Sequence, residues 1–490
     1  MSLTALLGRL DVLAETLGVE PTITGVAGYL DVIAPAVGTQ TDLLWLAHAA
    51  VSGELPEPEP FELFRRAARL EGTRHALADV AVRADRRLAP HRGIGIRIVT
   101  NAVVVDVHHT ARTELATGIQ RVVRETIVEW SKHHSIELLG WDSRYLGLRT
   151  LSAAERQNAL YGTMPTIPRE KHPVLTIPFR STYILPELAI ENDRTARIRC
   201  LAEFSGNHTA VIGFDCVPLT SSETVGEGMS AAFSKNLAAI AHFDRVSTIS
   251  RAAATEYRGW RRMLGGAGIA GPDIEPLLLP SVAEDVSPAD FERARAELLR
   301  GDAPLVVCVG SHEPRKNHLA VLAAAERLWR EGEEFQLVFI GGNGWHGEEF
   351  KDVLVRLQKN GRPVRAISAI SDALLWSAYR LARLTVFPSL NEGFGLPVGE
   401  SLSAGTPVVT SDFGSMKEIA ATGGAVFVDP RDDDDVYRGI RSLLLDDDLH
   451  ARLVAEAADL PARGWSEYAE ELWTTFVASA AIPAGSTPSR

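Results

Sequence analysis

From residue 93 onward short apolar runs alternate with amphipathic helical segments, and the alternation starts again after Pro288. The first series predicts strands at 97–107, 136–141, 173–179, 208–214, 245–250 and 274–279, with helices such as 118–132 and 229–242 between them. The second predicts strands at 304–310, 335–341, 364–368, 384–387, 407–410 and 425–428. Strands separated by helices pair in parallel, because each crossover returns the chain to the same sheet edge. The expectation is therefore an α/β chain with two parallel-sheet, Rossmann-like domains, 93–290 and 291–464, facing across a cleft. A length of 490 residues is too great for one ordinary core and suits such a division.

The flanks read differently. Residues 1–92 are predicted to be a helical extension, with Leu3, Leu6, Leu7, Leu10, Leu13, Ala14 and Leu17 at helical spacing. A Pro/Glu break at 54–60 precedes a second helix, rich in Arg, at about 61–88. The extension carries no catalytic constellation, so it reads as a packing or homo-oligomerisation module rather than a recognition domain. At the other end an apolar stripe from Trp465 to Val477 predicts a last helix, placed at 465–480, before a disordered tail at 481–490.

The most informative segment is PSLNEGFGLPVGESLSAGTPVVTSD, residues 388–412, where Glu392 and Glu400 are separated by seven residues. Leu384 to Phe387 read as a buried strand, Pro397 can open a helix, and Gly405 with Pro407 can close it. Glu392 then leaves a strand and Glu400 lies about one turn into a helix, at the edge where open α/β sheets bind ligands. Carboxylates there can accept hydrogen bonds from sugar hydroxyls, and the helix-start amides Gly393, Phe394, Gly395 and Leu396 can face an anion. An ordinary exposed helix with surface glutamates fits the spacing as well. In GSHEPRKN, Gly310 turns the chain and Arg315 and Lys316 follow; a planar fork beside a point charge suits a diphosphate, though an RK pair also suits plain surface. In TGIQRV, Gly118 opens a helix after the first strand and would let backbone approach a phosphate. In FDCVP, Asp215 ends another strand, as a site residue or a capped, buried carboxylate.

The E-x7-E pair with its EGFGLP core resembles the signature of retaining, nucleotide-sugar-dependent glycosyltransferases of the family 4 type, similar to mannosyl- and rhamnosyltransferases of bacterial surface-polysaccharide assembly. The resemblance spans about residues 97–480 and is strongest in the second domain. It implies the GT-B fold, two Rossmann-like domains with a final helix crossing back onto the first. It implies transfer of a hexosyl group, with retention, from a GDP-, UDP- or dTDP-sugar to a hydroxyl of a glycan, lipid-linked or protein acceptor. Glu392 would contact the transferred sugar, Glu400 the ribose, and Arg315 and Lys316 the diphosphate. Gly118 and Gly310 would line the cleft. Ile370 and Ser371, in ISAISDALLWSAY, would flank the nucleobase. Phe214 stands where many relatives have His, which leaves Asp215 as the candidate beside the reacting centre. No cofactor and no metal are implied. A nucleotide-sugar epimerase of the same fold and a non-catalytic sugar-nucleotide-binding protein are the other readings.

Composition excludes more than it adds. Net charge is −13 with no basic segment, which argues against nucleic acid. Three scattered cysteines form no disulfide framework and fit a reducing cytoplasm. No apolar run is long enough for a membrane span, which leaves a peripheral seat at the inner membrane face open. Gly342, Gly344 and Gly347 spell G-x-G-x-x-G, but after the second strand of their domain, so a glycine-rich cleft loop is preferred over a dinucleotide site. Asp432 to Asp435 follow Pro430 and read as a helix start, where acids favour the dipole, rather than a metal site.

Overall fold

The computed structural model describes residues 3–23, 25–86, 93–114, 117–163, 174–459 and 463–477. The expected tail at 481–490 lies outside them. Fifteen strands form two sheets among these residues.

The first sheet contains β1 (Gly95–Thr100), β2 (Val103–Asp106), β3 (Ile136–Trp141), β4 (Leu148–Thr150), β5 (Val174–Phe179), β6 (Thr182–Leu185), β7 (His208–Gly213), β8 (Arg245–Thr248) and β9 (Asp273–Pro276). Their order is β1-β5-β4-β3-β2-β6-β7-β8-β9, all parallel except for β4, which runs against both neighbours. The single strand expected at 97–107 is in fact β1 and β2. Asn101 sits in the left-handed region at φ 53° and breaks the strand, as Arg180 at φ 48° separates β5 from β6. Side chains pay a steric cost there, so sequence alternation alone conceals both breaks.

The second sheet contains β10 (Leu305–Val309), β11 (Gln336–Ile340), β12 (Val364–Ile367), β13 (Leu384–Phe387), β14 (Val408–Ser411) and β15 (Ala425–Val428). It is wholly parallel, in the order β12-β11-β10-β13-β14-β15. Its central strands are continuous apolar runs because helices cover both faces. The order reverses between β10 and β13, so the loops leaving those two strands diverge and open a crevice.

The N-terminal helices Leu3–Leu17, Val26–Val37, Thr41–Ser52, Pro58–Glu71 and Thr73–Arg86 share one core with the first sheet, where Leu10, Leu13 and Trp45 meet Val104, Trp141 and Tyr183. The helix expected at 61–88 is broken by Gly72, at φ 93°. Arg9 is buried in this joint and donates to the carbonyls of Ala50 (2.9 Å), Val51 (3.0 Å) and Ile94 (3.0 Å). It thus satisfies carbonyls that the end of the third helix leaves without helical partners. Leu6, Leu10, Leu13 and Ala14 of the first helix's apolar stripe are consumed inside its own chain, while Leu3 stays exposed.

The last helix, Trp465–Phe476, lies on the first domain against the helix Gly118–His133. Trp130 Nε1 donates to the carbonyl of Ala469 at 2.8 Å, and His134 stacks on Trp473 with centroids 3.8 Å apart. No helix among the described residues is long and apolar enough to cross a membrane.

Candidate active site

The crevice is built from the two loops at the strand reversal. β10 is followed by Gly310, whose φ of 148° suits glycine, and the chain makes one tight turn, Pro314–Lys316, before a helix begins at His318. The turn is sewn to the loop after β13: the Arg315 carbonyl accepts from Leu390 N–H at 2.8 Å and from Ser389 Oγ at 3.0 Å. Both cations then face Glu392. Lys316 Nζ is 2.6 Å from Glu392 Oε1, Arg315 Nη1 is 2.7 Å from Glu392 Oε2, and Ser389 Oγ donates to Oε1 at 2.7 Å. Arg315 also donates to the Asn391 carbonyl at 2.7 Å, and Lys316 lies over the Phe387 ring. Burial alone would push the Glu392 carboxyl up, but Arg315 and Lys316 together hold it down at about 2. Burial likewise works against the Arg315 charge, and Glu392 overcomes it and raises that pKa. The RK pair is therefore not plain surface: its side chains are 15% and 11% exposed and both are engaged.

Beyond Glu392 the loop crosses to the other domain. Gly393 has no room for a side chain; a Cβ there would stand 2.5 Å from the Phe214 carbonyl oxygen and 2.9 Å from Asp215 Oδ2. Ser250 Oγ donates to the Gly393 carbonyl at 2.6 Å. Phe394 is buried in the apolar cluster of the first domain with Val105, Phe214 and Ile249. Gly395, at φ 99°, turns the chain into the helix Leu396–Ser403, and Pro397 occupies its first turn. A Cβ on Gly118 would sit 3.3 Å from Leu396 Cδ1, so the TGIQRV turn abuts the EGFGLP turn.

Glu400 is 7% exposed, which removes the surface-glutamate reading. Its Oε2 accepts from Tyr379 Oη at 2.7 Å and its Oε1 from Arg121 Nη1 at 2.6 Å. Burial raises the Glu400 pKa, and the Arg121 charge only partly opposes this. Arg121 comes from the first domain, one turn past Gly118, and its Nη2 reaches Glu284 of the interdomain connection at 3.2 Å.

Asp215 follows β7 and faces this assembly from the first domain. Val217 N–H donates to its Oδ1 at 3.1 Å, so it is both capped and at the cleft. Burial lifts its pKa to about 6; Arg315 opposes the shift and Glu256 adds to it. Glu418 also joins the domains, accepting from Arg251 N–H at 3.0 Å and Ala252 N–H at 3.2 Å where a helix begins.

Ile370 and Ser371 stand apart from the carboxylates, in the loop after β12. Ile370 is half-buried against the second sheet, and Ser371 is exposed and caps the helix Asp372–Leu381 through Leu374 N–H at 3.2 Å. Their link to the crevice is that helix, which carries Tyr379 to Glu400. Asp432 caps the helix Asp433–Leu445, accepting from Asp434 N–H at 2.9 Å. Sequence reasoning passed over Arg121, Tyr379, Ser389 and Ser250. Three of these lie inside the motifs quoted above: Ser389 in PSLNEGFGLPVGESLSAGTPVVTSD, Arg121 in TGIQRV, and Tyr379 at the end of ISAISDALLWSAY, eight residues past Ser371 on a helix.

Comparison with known proteins agrees with this construction. Residues 290–459 match the family model described as glycosyl transferases group 1. The serotype-specific mannosyltransferase WbdA of Escherichia coli is 28% identical over 343 residues, which cover 66% of this chain and 40% of that protein. The O-antigen chain mannosyltransferase B of Escherichia coli is 36% identical over 140 residues, covering 28% of this chain and 36% of that protein. The chain thus matches well under half the length of these curated relatives. Among solved structures, Anabaena HepE in complex with UDP and glucose superposes with a TM-score of 0.57 at 11% identity, over 78% of this chain and 100% of that one. Residues 290–459 are a glycosyltransferase group 1 domain, carried on a chain of GT-B fold.

Proposed function

We propose that the chain is a retaining glycosyltransferase that moves a hexosyl group from a nucleotide diphosphate sugar to a hydroxyl of a glycan, in bacterial polysaccharide assembly. The observation that carries the reading is the gathering of Arg315, Lys316 and Glu392 at the strand reversal, faced by Asp215 and Gly118 from the opposite domain. Likeness to mannosyltransferases makes mannose the first sugar to test, with GDP, UDP and dTDP as the nucleotides.

The chemistry follows from charge. As the bond from the anomeric carbon to the phosphate oxygen breaks, the diphosphate gains negative charge and the sugar becomes oxocarbenium-like. Donors already fixed in place lower that barrier because they need no reorganisation. Glu392 holds both cations in position, and Arg315, Lys316 and the Gly393–Leu396 amides meet the diphosphate without a metal. Glu392 also offers a carboxylate to the transferred sugar, and Glu400 to the ribose. The acceptor oxygen bonds to the anomeric carbon on the face the phosphate leaves, and its proton passes to the departing phosphate oxygen. Asp215 lies on the acceptor side of this centre.

On this reading the protein works in the cytoplasm, where its unpaired thiols Cys200, Cys216 and Cys308 remain reduced. Self-association through residues 1–92 would use exposed Leu63 and Leu70, since Leu10 and Leu13 are buried. The test is a thermal-shift screen of GDP-, UDP- and dTDP-sugars, followed by anomeric assignment of the product by NMR. A bound donor at 100 times its Kd should stabilise the fold by about 2.7 kcal/mol. A screen in which no nucleotide sugar binds or is consumed would overturn the reading, and an inverted product would overturn retention.

A further inference from the structure

The G-x-G-x-x-G loop has no part in the chemistry above, yet it is built with care. It leaves β11 and lies flat on the loop that carries Arg315. His312 N–H donates to the Gly342 carbonyl at 2.9 Å, and His312 pairs with Asn343 in a parallel bridge. A Cβ on Gly347 would stand 2.8 Å from the His312 carbonyl oxygen, one on Gly344 would collide with the Glu313 side chain, and one on Gly341 with the Gly310 carbonyl. These glycines serve close approach of two loops, which explains the spacing without a dinucleotide.

What the loop presents is Trp345. His346 beside it is held in the left-handed region at φ 55°. Trp345 is 49% exposed, whereas Trp45, Trp130, Trp141 and Trp376 are fully buried. Its indole carbons Cδ2 and Cε3 lie 3.6 Å from where a Cβ on Gly226 would be, so the ring rests on a first-domain segment. Trp345 therefore stands at the mouth of the cleft, beside the loop of the diphosphate cations, with one side packed and one side open. Nearby in the chain, Thr220 and Ser221 accept from Asn391 Nδ2 at 3.1 and 3.2 Å, next to Glu392.

We propose that Trp345 is an acceptor platform on which a sugar ring of a neutral glycan stacks; the proposal rests on the transferase reading. A pyranose has one face of C–H groups, which suits an indole, and a rim of hydroxyls, which suits carboxylates and amides. Exposed Glu223 and Glu227 flank Gly226 in the chain, and exposed Glu348 and Glu349 follow the loop. That acidic surround accepts hydrogen bonds from hydroxyls and repels phosphate, so a sugar of the growing glycan, rather than a lipid phosphate, is the occupant.

The test uses the full chain, Trp345→Ala and Trp345→Phe, with a neutral α-manno-oligosaccharide as probe. In the wild type the oligosaccharide should shield tryptophan fluorescence from iodide, and Trp345→Ala should abolish that protection and leave only the weaker quenching of the half-buried Trp465 and Trp473. Acceptor KM should rise on the order of 10-fold in Trp345→Ala, with kcat and nucleotide affinity within twofold of wild type, and Trp345→Phe should recover most of the loss. Transfer with an unchanged acceptor KM in Trp345→Ala would overturn the platform while the transferase reading stands. Shielding of Trp345 with no nucleotide sugar consumed would leave the platform and overturn the transferase reading. Iodide access that the oligosaccharide does not alter would overturn the platform.

Discussion

Replacing Asp215 by Asn should stabilise the fold at neutral pH. The Asp215 pKa of about 6 exceeds its ordinary value of 3.8 because burial outweighs the attraction of Arg315. A carboxyl with a raised folded-state pKa binds its proton more tightly folded than unfolded. The native state is therefore favoured below the unfolded pKa and loses that advantage as pH rises through about 6. A shift of about two units corresponds to roughly 3 kcal/mol of destabilisation when Asp215 is fully ionised. Asparagine keeps an oxygen for Val217 N–H and removes the charge. The expected gain of Asp215→Asn over wild type is thus about 3 kcal/mol at pH 7.5 and roughly half that at pH 5, where the native carboxyl is mostly protonated. Urea unfolding of both proteins at the two pH values measures it, and the difference between them cancels every other titrating group. Turnover should fall at the same time, since a group retained at such a cost belongs to the site rather than to the scaffold. A gain independent of pH, or a variant less stable at pH 7.5 than wild type, would refute the reasoning.

Three further outcomes are expected. Arg315→Ala or Lys316→Ala should lower kcat at saturating donor on the order of 10²-fold, as loss of a preorganised donor does elsewhere; unchanged kcat in both would remove them from the leaving-group site. Glu400→Ala should weaken binding of the free nucleoside diphosphate by about 10- to 100-fold in calorimetry, as loss of charged hydrogen bonds predicts, whereas Glu392→Ala should act mainly on kcat. The opposite pattern would exchange their roles. Gly393→Ala should destabilise the fold by about 1–3 kcal/mol, because its Cβ would meet a backbone carbonyl that cannot rotate away; an unchanged urea midpoint would show that the domains do not meet there as described.

The two-sheet plan was legible because buried parallel strands are uninterrupted apolar runs, and 304–310 or 384–387 can hardly be anything else. β4 was not, being three residues long, nor was β6, which follows β5 after only two residues, with a left-handed Arg180 as the break. A left-handed Asn101 inside an apolar run leaves no periodic trace, so β1 and β2 read as one strand. Within the site, residues on the loops after β10 and β13 were legible because glycine, proline and charge crowd into short turns. Arg121 was not, because it lies off the buried face that a helical pattern reports, and Tyr379 was not, because a fully buried tyrosine on a helix reads as one more core position. Which arginine reaches a carboxylate 279 residues away is a property of how two domains dock. Local sequence does not encode that directly.

Phe394 has a consequence for modularity. Its backbone belongs to the loop of the second sheet, while its ring is part of the first domain's interior, 5% exposed. Burying such a side chain contributes on the order of 1.5–3 kcal/mol, and that sum is held across the boundary between the domains. The halves are consequently not interchangeable parts. A chimera that joined this second domain to the first domain of a relative would need a receptacle matching Phe394 among residues equivalent to Val105, Phe214, Ile249 and Leu279. Where it did not match, the defect would emerge in the loop that carries Glu392, far from the splice.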